Sequence, residues 1–218
     1  KIASVDKHTQ ETRWFVDRLD FGEFSSLCPD MPSCPDPTAI AENVCRLNQP
    51  HEMQIVAVQD DMLTLWVADS RNARMLKMEL MQDSNCGLVV DALTAEHVQW
   101  EGYLGVNGFD YWVEENVEHM LFSIKDTTTA VLDGGGGKGR IVKWSGVSQK
   151  WVREWVFPLE DADSPQFLNT PHGVTRWLQP DGQEAFLYAH SRAFSEAWDV
   201  GTGGSIGAAV LLDGVPTY

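Results

Sequence analysis

Two histidines occupy matching places in an internal repeat of the sequence. One copy spans residues 48–71 and the other residues 169–192, and each begins with an Asn-x-Pro-His motif that contains His51 or His172. An imidazole can bind a metal, donate to an anion, or exchange protons near neutral pH. Two interpretations follow: the histidines converge as a paired catalytic site, or each one caps a turn within its own copy of the repeat.

Each copy ends in a Ser-Arg pair, and further polar residues stand near the ends of the repeat. Arginine suits anions because its planar guanidinium can donate two parallel hydrogen bonds to an oxyanion. The alternative for each arginine is a surface ion pair with one of the many carboxylates. Arg71, Arg192 and His190 lie at the ends of the strands that follow the two histidines, so they are the candidate anion contacts.

The two copies differ at two places that bear on metal binding. Glu52 in the first copy corresponds to Gly173 in the second, and Asp69 corresponds to His190. Together with the paired histidines, Glu52 and Asp69 could form a mixed oxygen and nitrogen site for calcium or zinc. No ligand spacing in the sequence requires such a site, so metal binding stays open.

The segments that must position these residues read as strands. Short runs rich in β-branched and aromatic residues alternate with turn signals, a pattern that favours strands over helices. Only residues 36–45 and 94–100 have a helical pattern, so the sequence predicts an all-β chain. The predicted strands are 54–58, 63–68, 74–80, 119–124, 140–144, 152–157, 174–178, 185–189 and 208–212.

A second internal match indicates how these strands are grouped, because residues 74–78 resemble residues 140–144. Each group would be a small antiparallel sheet that cannot bury both faces alone, so neighbouring sheets must stack. That logic is typical of β-propeller blades, and we expect a propeller or propeller arc of about four blades. The predicted units are about 1–22, 48–91, 104–158 and 169 onward.

Two segments resemble blades of extracytoplasmic propellers. They read PHEMQIV…LTLWVADSRNARMLKMEL and GKGRIVKWSGVSQKWVREWVFP. The family that they resemble is the arylsulfotransferase-like propellers, with the strictosidine synthase and NHL-type lactonase propellers as neighbours, and the resemblance covers most of residues 48–218.

The resemblance implies a histidine nucleophile or base, matched here by His51 and His172, acting on a small anionic or aryl substrate. The resemblance further implies that the anion or orientation contacts are Arg71, Arg192, Asn48, Asn107 and Asn169, with His190 beside them. Arylsulfotransferase-like propellers usually have six blades. A chain with about four blades is therefore expected to be incomplete, to be completed by a partner chain, or to form a small ring.

Charge excludes one class of partner. The 218 residues include 16 basic and 32 acidic side chains, for a net charge of −16. Nucleic acid binding depends on clustered Lys and Arg, so DNA and RNA are not expected partners. No apolar run approaches the roughly 18 residues that a membrane span requires.

The four cysteines all lie in the first half, three of them around a Pro-rich segment. This arrangement predicts two disulfides in a secreted or extracytoplasmic protein, with free structural thiols or a metal as alternatives. We expect a single domain over residues 1–218 with a Cys/Pro-rich insertion at about 25–47.

Two functions are compatible with the sequence. The first is an enzyme that resembles arylsulfotransferases or related propeller hydrolases, with His51 and His172 on loops at the channel mouth. The second is a noncatalytic binding or assembly module, in which the repeated loops are structural and open sheet edges or the acidic surface recruit a partner.

Overall fold

The computed structural model confirms that the chain is almost entirely β-structure. Among the described residues, Ser70–Asn72 form one turn of 3₁₀ helix, and no helix is long and apolar enough to cross a membrane. The described residues are 2–5, 7–16, 18–21, 47, 49–72, 74–81, 86–94, 103–126, 138–147, 150–157, 168–169, 171–190, 205–212 and 215–217.

The described residues form sixteen strands. In order they are β1 (Ile2–Val5), β2 (Thr12–Val16), β3 (Arg18–Phe21), β4 (Pro50–Gln59), β5 (Met62–Asp69), β6 (Arg74–Met81), β7 (Cys86–Thr94), β8 (Tyr103–Glu114), β9 (Val117–Asp126), β10 (Lys138–Val147), β11 (Lys150–Phe157), β12 (Leu168–Asn169), β13 (Pro171–Leu178), β14 (Glu184–His190), β15 (Ser205–Leu212) and β16 (Val215–Thr217).

Three four-stranded antiparallel meanders make up most of the fold. They are β4–β7, β8–β11 and β13–β16, and they coincide with the three longer units predicted from the sequence repeat. Strand β3 adds to the first meander in parallel with β7, β12 adds to β10, and β1 pairs with β2. The described sheets are separate, and their arrangement as a propeller stays a prediction.

The chain divides into two compact units, Lys1–Thr94 and Ala95–Tyr218. In the first unit, strand β5 is buried on both faces: Leu65 and Val67 point to one side, and Trp66 and Ala68 point to the other. Burial on both faces explains why β5 reads as a continuous apolar run rather than an alternating one. The core on the Leu65 side contains Leu65, Val67, Leu76, Met78 and Leu80.

In the second unit, two meanders pack face to face over one core. Phe186 on β14 lies at its centre, with ring centroids 5.1 Å from Trp155, 5.3 Å from Phe157 and 5.9 Å from Tyr188. Such aromatic contacts add to the hydrophobic stabilisation from buried area. The buried core residues are Leu121, Ile141, Phe157, Leu168, Val174, Phe186, Tyr188, Ala209 and Leu211.

All nine predicted strands are present, but the sequence-based assignment missed two long ones, β7 and β8. Within β8, the dipeptide Asn107-Gly108 has the composition of a hairpin turn, yet here it forms a β-bulge inside a continuous strand. The two segments with a helical pattern lie outside the described residues, apart from Thr94, which ends β7.

Candidate functional site

A β-bulge recurs at the same place in the first strand of each meander. In β4, β8 and β13, two residues oppose a single residue on the next strand. The leading bulge residue is His51 in β4, Asn107 in β8 and His172 in β13. Bulges re-aim side chains and are common beside active sites. Three of the predicted site residues therefore hold structurally equivalent positions.

The environments of these three residues differ. Both histidine side chains are exposed, whereas Asn107 is buried. His51 belongs to the first unit, and Asn107 and His172 belong to the second. The convergence of the two histidines in one site therefore stays a prediction.

Within the second unit, the β8 bulge holds the segment that carries His172. The side-chain amide of Asn107 donates a 2.9 Å hydrogen bond to the carbonyl of Pro171. The hydroxyl of Ser123, opposite the β8 bulge, accepts from the amide of Gly108 at 2.9 Å and lies 3.1 Å from the carbonyl of His172. Asn107 thus acts on the backbone beside His172, so its predicted role as a substrate contact is not needed to explain its presence.

Pro171 packs against a glycine on the neighbouring sheet. A Cβ atom added to Gly139 would collide with the Pro171 ring and lie 2.6 Å from the carbonyl oxygen of Ile124. Only glycine permits this close approach of β10 to the start of β13. The position of His172 is therefore built from a proline, a glycine and two hydrogen-bonding side chains.

Asp69, a candidate metal ligand, is fully buried in an ion pair. Its Oδ2 accepts from the Arg74 Nε and from the Asn72 amide, both at 2.7 Å. Glu52, the second candidate ligand, is exposed in the β4 bulge. Within the described part of the chain, no group of three or more His, Cys, Asp or Glu side chains is placed to hold a metal ion.

Other predicted site residues fall at or beyond the limits of the described chain. Arg71 lies in the 3₁₀ turn, Asn169 in β12 and His190 at the end of β14, but their side chains are outside the described residues. Asn48 and Arg192 lie outside them altogether. The same holds for Cys28, Cys34 and Cys45.

A polar cluster that the sequence analysis did not predict lies between the two sheets of the second unit. Its centre is Trp112, which stacks on the His119 ring with centroids 5.3 Å apart and has the Arg176 guanidinium carbon 4.7 Å from its ring centroid. We call this cluster the Trp112 network. Its members are Trp112, Glu114, His119, Lys143, Ser145, Glu154, Arg176 and Glu184.

Ion pairs connect the network across the two sheets. Arg176 on β13 pairs with Glu114 on β8 and with Glu184 on β14, each at 2.9 Å. Lys143 on β10 lies 3.1 Å from Glu154 and 3.8 Å from Glu184. Lys143, Glu184 and Arg176 are only partly exposed, so the pairs of Glu184 with Arg176 and Lys143 are less screened than surface pairs. Glu114 is exposed, so its pair with Arg176 is the more screened one. The network therefore helps to fix one sheet against the other.

Ser145, His119 and Glu154 have the residue types of a nucleophilic triad but not its geometry. In a triad, the hydroxyl and the carboxylate bond to opposite nitrogens of the imidazole. Here the Ser145 hydroxyl lies 2.7 Å from Nδ1 of His119, the Glu154 carboxylate lies 3.7 Å from that same nitrogen, and Ser145 also bonds to Glu154. This arrangement satisfies buried polar groups and does not prepare an attacking serine.

The protonation states follow from the surroundings. Burial lowers the pKa of His119, and the Lys143 charge lowers it further. Burial alone would raise the pKa of Glu154, but hydrogen bonds from Ser145 and Lys143 outweigh it and hold the pKa below its usual value. The hydrogen bond from Arg176 lowers the pKa of Glu114. At neutral pH the network contains a neutral imidazole among ionised carboxylates.

Strand register explains why the sequence did not reveal this network. Trp112 lies opposite His119, and His119 lies opposite Ser145 on the following strand. The repeated pattern at residues 140–144 includes Lys143 but says nothing about its cross-strand neighbours. The available signal was composition alone, since the end of β8 combines Tyr111 and Trp112 with two acidic residues, Asp110 and Glu114.

The last meander, β13–β16, is covered on one face and open on the other. On the open side, Trp177 is 43% exposed, Leu212 54% and Ile206 80%. The described residues of this side are uncharged, and the Asp110 carboxylate of β8 lies at its edge, where it accepts a 3.0 Å hydrogen bond from the Thr175 hydroxyl. We call this surface the open face. It consists of Thr175, Trp177, Ala185, Leu187, Ala189, Ile206, Ala208, Val210 and Leu212, of which Ala185 is buried beneath its neighbours.

Comparisons of the chain with protein-family models, with curated proteins and with solved structures find no match. The function of this protein is therefore inferred from its own residues.

Proposed function

We propose that this chain is a noncatalytic binding or assembly module in which the β13–β16 sheet receives a partner. The observation that supports this proposal best is the open face. Exposed apolar surface costs free energy in water, and a contiguous apolar patch of this kind is typical of an interaction site.

The internal repeat strengthens the proposal. By sequence repeat and strand pairing, Met75 and Lys77 on β6 correspond to Ile206 and Ala208 on β15. Met75 is buried, with 1% of its surface exposed, whereas Ile206 is the most exposed of the large apolar side chains. Within the described part of the chain, the copy with the more apolar face is thus the one without a cover. This is expected if the cover comes from another sheet.

Stacked four-stranded meanders also support a propeller-like arrangement, as the sequence resemblance implies. In such a fold each blade packs on its neighbours, and a blade without a neighbour presents an apolar face. A partner chain that continues the stack is the occupant this architecture favours. An extracytoplasmic location remains part of the proposal.

Enzyme assays separate the module from the enzyme alternative. We expect the wild-type protein to show no sulfate transfer from aryl sulfates and no ester hydrolysis above the buffer rate. The same assays on His51→Ala and His172→Ala, with His8→Ala as a control at an exposed histidine outside the bulges, complete the test. Activity in the wild type that falls at least tenfold in His172→Ala, but not in His8→Ala, would overturn the proposal.

The recurring bulge favours one second candidate, the arylsulfotransferase-like site. Exposed histidines in equivalent bulges, one of them held by Asn107 and Ser123, have the placement that a catalytic imidazole on a rigid segment needs. In this candidate, Asn107→Ala lowers activity by releasing the backbone beside His172. Equal activity in Asn107→Ala and the wild type would remove this role.

A further inference from the structure

We infer that the open face binds the same face of a second copy of this chain. The inference rests on the proposed assembly function and names its occupant. It follows from the charge, the composition and the size of the face.

The open face is nearly free of charge in a strongly acidic chain. The net charge of the chain is −16, yet the described residues of the open face are uncharged, and the Asp110 carboxylate touches the face at one edge, through Thr175. A basic partner that recognised this chain through opposite charge would need acidic side chains on the face that it binds. Two copies that meet through this face instead avoid placing like charges opposite each other, and salt screens the remaining repulsion.

The open face mixes large and small side chains. It combines one large ring, Trp177, with the small side chains of Ala189 and Ala208. A mixture of large and small residues allows two identical sheets to interdigitate, as in the aligned packing of β-sandwiches. The covered face of the same sheet already packs in this way on the β8–β11 sheet, around Phe186.

The size of the open face suits a weak dimer. Strands β13, β14 and β15 have seven or eight residues each and β16 has three, so the face measures roughly 400 Å². Two such faces bury on the order of 800 Å², the size of a weak, transient interface. A self-complementary patch closes into a two-fold dimer rather than a fibre. We therefore expect a concentration-dependent dimer.

Sedimentation equilibrium tests the inference on the full chain up to about 0.1 mM, a concentration that reveals even a weak specific interface. We expect the measured mass to rise with concentration from 24.4 kDa towards twice that value, and the dimer to strengthen as salt increases. Ile206→Lys should weaken association at least tenfold, because it places an unpaired charge in the interface. The matched control is Val113→Lys, at a residue that is 57% exposed on β8.

Circular dichroism establishes that both variants keep their strands, which is expected because both residues are exposed. A wild-type protein that stays at 24.4 kDa throughout, or equal weakening by both substitutions, would overturn the dimer. This outcome is distinguishable from failure of the proposed noncatalytic function, because that function would be overturned by the detection of His172-dependent catalysis.

Discussion

Residues that differ between the two repeat copies differ together with their neighbours. Asp69 lies opposite Arg74 across β5 and β6, and its counterpart His190 lies opposite Ser205 across β14 and β15. The first copy thus has a buried ion pair where the second has two residues that need no net charge. The contact between Asp69 and Arg74 therefore explains why the two copies differ at this position. At the other position where they differ, the residue of the first copy, Glu52, is exposed.

Removing the Asp69 charge should destabilise the protein strongly. Asp69→Asn keeps the shape of the side chain but leaves the Arg74 guanidinium buried without its ionic partner, which costs about 3–5 kcal/mol. Urea unfolding of the variant and the wild type measures the difference. The double variant Asp69→Leu with Arg74→Met is the control, because it removes both charges and should cost less than Asp69→Asn alone. A larger cost for the double variant would contradict the ion-pair account.

His119 should make stability depend on pH. Its pKa is lowered in the folded state by burial and by Lys143, against the opposing effects of Glu154 and Glu114. The unfolded chain therefore binds the proton more readily, so stability is complete above the unfolded pKa of 6.5 and falls as the pH drops below it. Glu154 and Glu114, whose pKa values are also lowered, extend the loss below pH 4.5.

The test is the urea midpoint between about pH 7.5 and pH 5.5, the range in which a histidine titrates. We expect the midpoint of the wild type to fall on acidification and that of His119→Gln to fall less. His8→Gln provides the matched histidine control and should behave like the wild type. Identical pH profiles for the wild type and His119→Gln would show that His119 does not carry the effect.

At the level of strands and sheets, sequence predicted most of the fold. Alternation and β-branched residues identified nine strands, and the repeat identified the three meanders, because both signals are local. The β8 bulge and the Trp112 network were not predictable in the same way. The dipeptide Asn107-Gly108 favours a hairpin turn, but tertiary contacts hold it in a bulge instead. The Trp112 network depends on which residues lie opposite one another on paired strands, and the sequence does not give that register.

The contact between Gly139 and Pro171 should control how the start of β13 sits on the neighbouring sheet. Gly139→Ala forces its new methyl group into the proline ring and towards the Ile124 carbonyl, an overpacking that costs about 1–3 kcal/mol. Gly173→Ala is the matched control, because its added Cβ meets only the Ala189 Cβ at 3.9 Å. Thermal unfolding should therefore separate the two variants, and equal midpoints would show that β13 yields at no cost.

The sheets of the molecule differ in how much of their surface the described residues cover. Strands β5, β9 and β10 are buried on both faces, whereas the β13–β16 sheet is buried on one. A stack of sheets must end in covers or in partners, since each sheet is too thin to hide both of its faces. The number of repeated units that a closed propeller would need could not be predicted from this sequence, because a repeat defines a unit but not how many units close a ring.

The oxidation state of the four cysteines indicates the compartment in which the whole chain folds. If Cys28, Cys34, Cys45 and Cys86 form two disulfides, the denatured protein reacts with iodoacetamide at four sites after reduction and at none before it. Each disulfide that closes a loop contributes about 2–4 kcal/mol, mainly by restricting the unfolded chain, so reduction should also lower the urea midpoint. A Cys28→Ser variant controls for pairing, because it should leave one thiol reactive without reductant. Four reactive thiols in the unreduced protein would contradict an oxidising compartment and favour structural thiols.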